Sequence, residues 1–436
     1  MRNILLMFIL CWLVSFENIA YAQQTAGDSL TINAAIKLAL SNQPLINQAV
    51  EQINSINARI KEQNSSYYPE IEGDLSYAYI GPIISLSFPG LGNFAFNTSS
   101  NFDFHVSAGQ TLYDFGKRDA MLDLIRSNKL SAEEKINLIK SNLAYQTIHV
   151  FYSILFIEKS IDVEDEQINT LNKHLDIARK KVESGSSTDF DVLTTQVRVA
   201  SAQNELIDLK NTLDKAKILL INYTGYSSTK PLNLSGDFSI NIPEIKEDSL
   251  LSIAYLSREE MKLARDNENS AKISTQIAGL NNLPTLSAGL SYGLKNGFFP
   301  DLLVLRGNWV AAVSANIPIF NGYRTEAQQE EAEANLKSTS QETLELERNI
   351  KAEVQSAISD LRTGIGKLKT TEIQVKQAAD AVSRAEVEYQ DGVITNLDLI
   401  DTETTLAEAK LLYLQVIYKN VINKYALDKV VGSIVW

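Results

Sequence analysis

Of 436 residues, one is cysteine and three are histidine. So few soft or imidazole ligands argue against a structural zinc site, a disulfide framework or a thiol active site. The lone thiol, Cys11, lies in an N-terminal segment that reads as a removed export signal. Positive charge is also scarce, with 40 Lys and Arg against 53 Asp and Glu and a formal net charge of -13. That balance excludes nucleic acid as a partner, because a phosphate backbone requires clustered Lys and Arg. Cations, cationic solutes or a basic protein are the favoured electrostatic company. No Ser/His/Asp cluster, phosphate loop, CxxC or HExxH is found, and His105, His149 and His174 are far apart. Neither enzymatic activity nor a cofactor or metal is expected, and the histidines are assigned structural or surface roles.

Long apolar runs are missing except at the start. Arg2, the run from Ile4 to Val14, and Ala20-Tyr21-Ala22 have the order of a secretory signal with a small-x-small cleavage site. A retained helical anchor needs roughly 20 apolar residues, and this run is much shorter. Residues 1–22 are therefore expected to be removed. Bulky Phe8, Ile9 and Leu10 argue against lipid attachment at Cys11.

Proline and glycine divide the remainder. Residues 117 to 184 contain neither, and no proline follows Pro318. Within the first stretch Val150, Ile154, Ile157, Ile161, Ile168, Leu171 and Leu175 recur in steps of three and four with one skipped turn, the seam of a heptad helix. Val354, Ile358, Leu361, Ile365, Leu368 and Val375 repeat the pattern, with Gly364 and Gly366 expected to bend the helix locally. At 1.5 Å per residue, the first helix would be roughly 100 Å long. Such a seam must meet other long helices, in a helical barrel or in a solvated coiled coil.

Four segments switch to period two. Ile71, Leu75, Tyr77 and Tyr79 alternate with Glu72, Asp74 and Ser76, and Phe102, Phe104 and Val106 with Asp103, His105 and Ser107. Leu286, Ala288, Leu290 and Tyr292 alternate with Ser287, Gly289 and Ser291; the last run carries Trp309, Ala311, Val313, Ala315, Ile317 and Ile319. Strands are expected near 67–80, 100–113, 284–295 and 307–320. About ten tilted residues cross a bilayer, and one apolar face with one small or polar face suits a wet barrel. A soluble sandwich would also alternate. The export signal, the flanking Tyr67, Tyr68, Phe320 and Tyr323, and loops rich in Gly, Asn and Pro over 81–101 and 295–307 favour the membrane. Four strands cannot close a barrel, and an open edge in lipid leaves backbone groups unsatisfied, so several chains must combine.

LTINAAIKLALSNQP (Leu30 to Pro44), SSYYPEI (Ser65 to Ile71), LPTL (Leu283 to Leu286) and two Gly-x-x-Thr turns resemble the outer-membrane factors, the TolC-like channels of efflux and secretion systems. The resemblance covers essentially the whole mature chain. It implies an α+β membrane protein in which each protomer gives four strands to a trimeric twelve-stranded β-barrel, continued by a long coiled-coil α-helical barrel through the periplasm. The implied divisions are a first repeat over 23–225, an equatorial linker over 226–248 and a second repeat over 249–436. The implied partners are two further copies, outer-membrane lipid, a periplasmic adaptor and an inner-membrane transporter that supplies the energy. Small-molecule efflux is the expected function. A type I protein secretion channel, or a periplasmic coiled-coil adaptor without a pore, remain the alternatives.

The two turns stand 207 positions apart, with Gly185 matching Gly392, Thr188 matching Thr395, and Asp191 matching Asp398. The glycines suit a left-handed helix stop, and each Thr/Asp pair has capping-box spacing. The second turn adds Asp401, three residues after Asp398 and so on a similar side of the helix. The resemblance assigns Asp398 and Asp401 to acidic rings at the tunnel's narrow end, where like charges would raise one another's pKa and filter by charge. It assigns Asp191 and Tyr389 to a hydrogen bond that holds the closed state. Where the family has an arginine for a second link, this chain has Ile394.

Overall fold

A computed structural model of the chain describes residues 29–90, 92–226, 232–239 and 246–433. The expected signal, 1–22, lies outside these residues, as does part of the 226–248 segment. The first elements among the described residues are β1 (Leu30–Thr31), α1 (Ile32–Asn42) and α2 (Pro44–Ser65). The Thr31 hydroxyl accepts a hydrogen bond from the amide of Ala34, and Pro44 begins α2 where no amide is required. Then come β2 (Glu70–Tyr79), β3 (Ser85–Phe88), β4 (Gly92–Ala95), β5 (Ser100–Tyr113), α3 (Lys117–Glu183) and α4 (Asp189–Thr224). After β6 (Leu234–Ser235), which pairs parallel with β1, follow α5 (Glu247–Ser257), α6 (Glu259–Leu280), β7 (Thr285–Lys295), β8 (Arg306–Asn316), α7 (Arg324–Gln390) and α8 (Asn396–Val431).

The proline- and glycine-free stretch is one helix: α3 has 67 residues, as does α7, and α4 and α8 have 36 each. At 1.5 Å per residue each long helix is about 100 Å and each returning one about 54 Å. A returning helix covers only the distal half of its partner. Next to the sheet, α2 and α6 pack against α3 instead. Two cores sit where these sets meet. Phe151, Ile148 and Ile154 of α3 are fully buried with Leu220, Val421 and Ala35; Ile350, Val354, Ile358 and Leu361 of α7 pack with Met261 and Leu427. Each fully buried large side chain stabilises by about 1.5–3 kcal/mol relative to exposure.

Helix α7 runs through Gly364 and Gly366 without interruption. Gly364 is a contact point: Asn420 of α8 donates from Nδ2 to its carbonyl at 3.0 Å, and a β-carbon there would lie 2.2 Å from Asn420 Oδ1. The buried face therefore passes through Gly364, while Ile365 of the expected seam is exposed.

The four expected strands form one antiparallel sheet in the order β2-β5-β7-β8. Register aligns Leu75 with Phe104, Phe104 with Leu294, Val106 with Tyr292, and Tyr292 with Trp309. Among the described residues this apolar face has no cover: Leu75 is 80% exposed, Trp309 69% and Val313 70%. A soluble sandwich would bury it. Strand β8 stops at Asn316, short of the expected 320, because Pro318 has no amide for the ladder. The β3/β4 hairpin, within a segment expected to be loop, was illegible because its four-residue strands are too short for period-two alternation to register.

Candidate functional site

The two tip turns are at the end of the helices farthest from the sheet. Both glycines adopt φ +73°, a conformation that costs other L-residues energy. At the first, the amide of Ser186 bonds to the carbonyl of Lys181 at 2.8 Å and that of Gly185 to Val182 at 2.9 Å. At the second, Val393 bonds to Glu388 at 2.8 Å and Gly392 to Tyr389 at 3.2 Å. These are Schellman closures, which satisfy carbonyls that a helix end leaves open.

The following caps differ. Thr395 makes the expected capping box: its hydroxyl accepts from the Asp398 amide at 3.2 Å, and Asp398 Oδ2 accepts from the Thr395 amide at 2.9 Å and hydroxyl at 2.6 Å. Thr188 makes no side-chain cap. The Asp191 carboxylate accepts instead from the hydroxyl of Ser187. The second turn has no such competitor, because Ile394 occupies the equivalent position. Ile394 packs with Leu399, Ala385 and Tyr389, so it staples the chain entering α8 to that helix's first turn. Ile394, where the resemblance implies an arginine, thus has a packing role.

Asp398 is fully exposed, and hydrogen bonds from the Thr395 side chain and amide hold its carboxyl below the usual Asp range. Within one chain, the direction is opposite to that expected from crowded like charges. Asp401 is paired across hairpins: Arg198 of α4 donates from Nη2 to Oδ1 at 3.0 Å, with both side chains about half exposed. Tyr389 is buried, with the Lys181 ammonium 3.7 Å from its ring centroid. Burial first, and the Asp191 charge second, raise its phenol above the ordinary value. Asp191 is thus close enough to act electrostatically, but among the described residues no hydrogen bond joins it to Tyr389.

Other ties between the hairpins had no sequence signature. His174 Nε2 and Glu403 Oε1 are 2.5 Å apart and buried, joining α3 to α8. Asn396 Nδ2 donates to Thr195 Oγ1 at 3.0 Å in a buried contact between α8 and α4, and Lys410 Nζ bonds to Glu166 at 2.7 Å. Each depends on the register of two helices more than 200 residues apart. Single-chain periodicity does not encode it. Among the described residues, no group of three or more His, Cys, Asp or Glu could hold a metal ion, and no helix is long and apolar enough to cross a membrane.

An uncovered amphipathic sheet at one end of 67-residue helices, with acidic turns at the other, defines a membrane-embedded protein whose helices project far from the bilayer. The outer membrane efflux protein family matches residues 35–226 and 250–433, and the chain belongs to that family. The family consists of outer-membrane channel proteins, not enzymes, which places this chain in the outer membrane and sets aside a pore-free adaptor. The cation efflux system protein CusC of Escherichia coli K12 is 21% identical over 92% of this chain and 86% of its own length. The outer membrane protein TolC of the same organism is 20% identical over 76% of this chain and 71% of its own. A solved structure of CusC superposes with a TM-score of 0.81 at 18% identity, covering 92% of each chain.

Proposed function

We propose that three copies assemble into an outer-membrane channel and that solutes leave through it. The observation carrying this reading is the sheet itself. Among the described residues its outer strands, β2 and β8, of 10 and 11 residues, have one edge each unpaired, and its apolar face is uncovered. In lipid, β8 of one copy would pair with β2 of the next; four strands from each of three copies give a closed twelve-stranded wall. The helices of the three copies would continue the wall as a tunnel into the periplasm, and the matching helix lengths of the two halves support an internal two-fold repeat.

The tunnel's far mouth is gated by Asp398 and Asp401, with the turns at Gly185, Thr188, Gly392 and Thr395 fixing their position. Tyr389, with the Lys181 ammonium over its ring and within reach of the Asp191 charge, holds the closed arrangement. A periplasmic adaptor and an inner-membrane transporter complete the assembly and supply the energy. The exported class is small solutes, with cations favoured by an acidic mouth; the relative whose name specifies cation efflux supports that choice. Planar-bilayer recording tests the reading: discrete ion-conducting steps with cation preference are expected. Detergent-solubilised protein that gives no current would refute it.

A further inference from the structure

Residues 182 to 209 and 391 to 409, the two turns with the distal parts of α4 and α8, contain a single basic residue, Arg198. Against it stand Glu183, Asp189, Asp191, Glu205 and Asp208 on the first segment, and Asp391, Asp398, Asp401, Glu403 and Glu408 on the second. Among the described residues this one guanidinium reaches across to the other hairpin and takes Asp401 at 3.0 Å, although Asp189 and Asp191 lie on its own helix. Asp398 is already engaged by its own cap, and Glu403 by His174. Of the two carboxylates assigned to the mouth, Asp401 is therefore paired with a cation and Asp398 is held only by its own cap.

We infer that Arg198 is a gating residue. Its pair with Asp401 ties the α3/α4 hairpin to the α7/α8 hairpin in the closed state and masks one of the two mouth carboxylates. Parting the hairpins breaks the pair, so the same movement that widens the mouth exposes the Asp401 charge. The open channel then prefers cations more strongly than the closed one. This rests on the proposal that Asp398 and Asp401 line the mouth. An exposed ion pair shifts an equilibrium by about 1.4- to 5-fold, and three pairs that part together in a trimer by about 3- to 150-fold. Screening also identifies it: the Debye length falls from about 10 Å at 0.1 M salt to about 3 Å at 1 M, so high salt should weaken the tie.

The test is single-channel recording with reversal potentials in KCl gradients, on variants first shown to run as SDS-resistant oligomers. Arg198→Gln should raise open occupancy within the range above and raise the K+ over Cl− permeability ratio of the least conducting state, whereas Arg198→Lys should remain near wild type. Asp401→Asn should also open the channel, without raising that ratio. Combining Arg198→Asp with Asp401→Arg should restore closure, which a general loss of packing would not do. Wild-type occupancy and selectivity in Arg198→Gln, together with a reduced cation preference in Asp398→Asn, would overturn the inference and leave the acidic mouth intact. Unchanged selectivity in both Asp398→Asn and Asp401→Asn would overturn the mouth assignment and the inference together.

Discussion

Thr188 and Thr395 are equivalent in sequence but not in the structure, and truncating each to alanine exploits that difference. Thr395→Ala removes a hydroxyl that accepts the Asp398 amide and donates to its carboxylate, thereby dismantling the capping box. An N-cap of this kind is worth about 1 kcal/mol, with a range of about 0.5–2. If the first turn of α8 opens locally, 1 kcal/mol corresponds to roughly fivefold faster amide exchange. Thr188→Ala removes no cap hydrogen bond and should leave exchange in α4 unchanged. Hydrogen–deuterium exchange with peptide resolution around residues 395–401 and 188–194 measures both. Asp398 adds a pH signature. Because its folded pKa is depressed, its stabilising contribution is complete above the ordinary Asp value, near 4, and disappears as pH falls through the lowered one. Protection of the α8 turn should thus hold from pH 7 to about 5 and decline below about 4, and Thr395→Ala should flatten that decline. Equal effects of the two threonine variants, or slower exchange in Thr395→Ala, would refute the assignment of unequal caps.

Replacing Glu403 by Ala strands a buried imidazole and should destabilise by about 1–3 kcal/mol; a double His174→Leu, Glu403→Leu variant should lose less, as chemical denaturation would show. On the uncovered face of β8, Val313→Arg should cost about 2–4 kcal/mol near the bilayer midplane and reduce the membrane-inserted yield. Ser314→Arg, on the opposite face, should insert normally and alter ion selectivity; equal yields would contradict the assignment of faces.

The long helices and the strand set were legible because their signals are local. Period-two alternation and the absence of proline and glycine act over neighbouring residues and locate α3, β2, β5, β7 and β8 to within a few positions. The Schellman glycines were readable for the same reason: a positive φ is a demand on one residue. The contacts that distinguish the two tips were not. Ser187 diverts Asp191 from its cap, Ile394 staples α8, and Asn420 needs the bare surface of Gly364, yet each depends on a neighbour that spacing does not identify. Pairs such as Arg198 with Asp401 and His174 with Glu403 depend on the relative register of two hairpins, which their individual heptads leave free.

A closed wall in lipid requires that several chains share it. Native mass spectrometry of the detergent-extracted protein measures their number directly: three chains per particle is the expected result, giving twelve strands. A particle of one chain, which would leave β2 and β8 with bare edges in lipid, or one released into buffer without detergent, would contradict it.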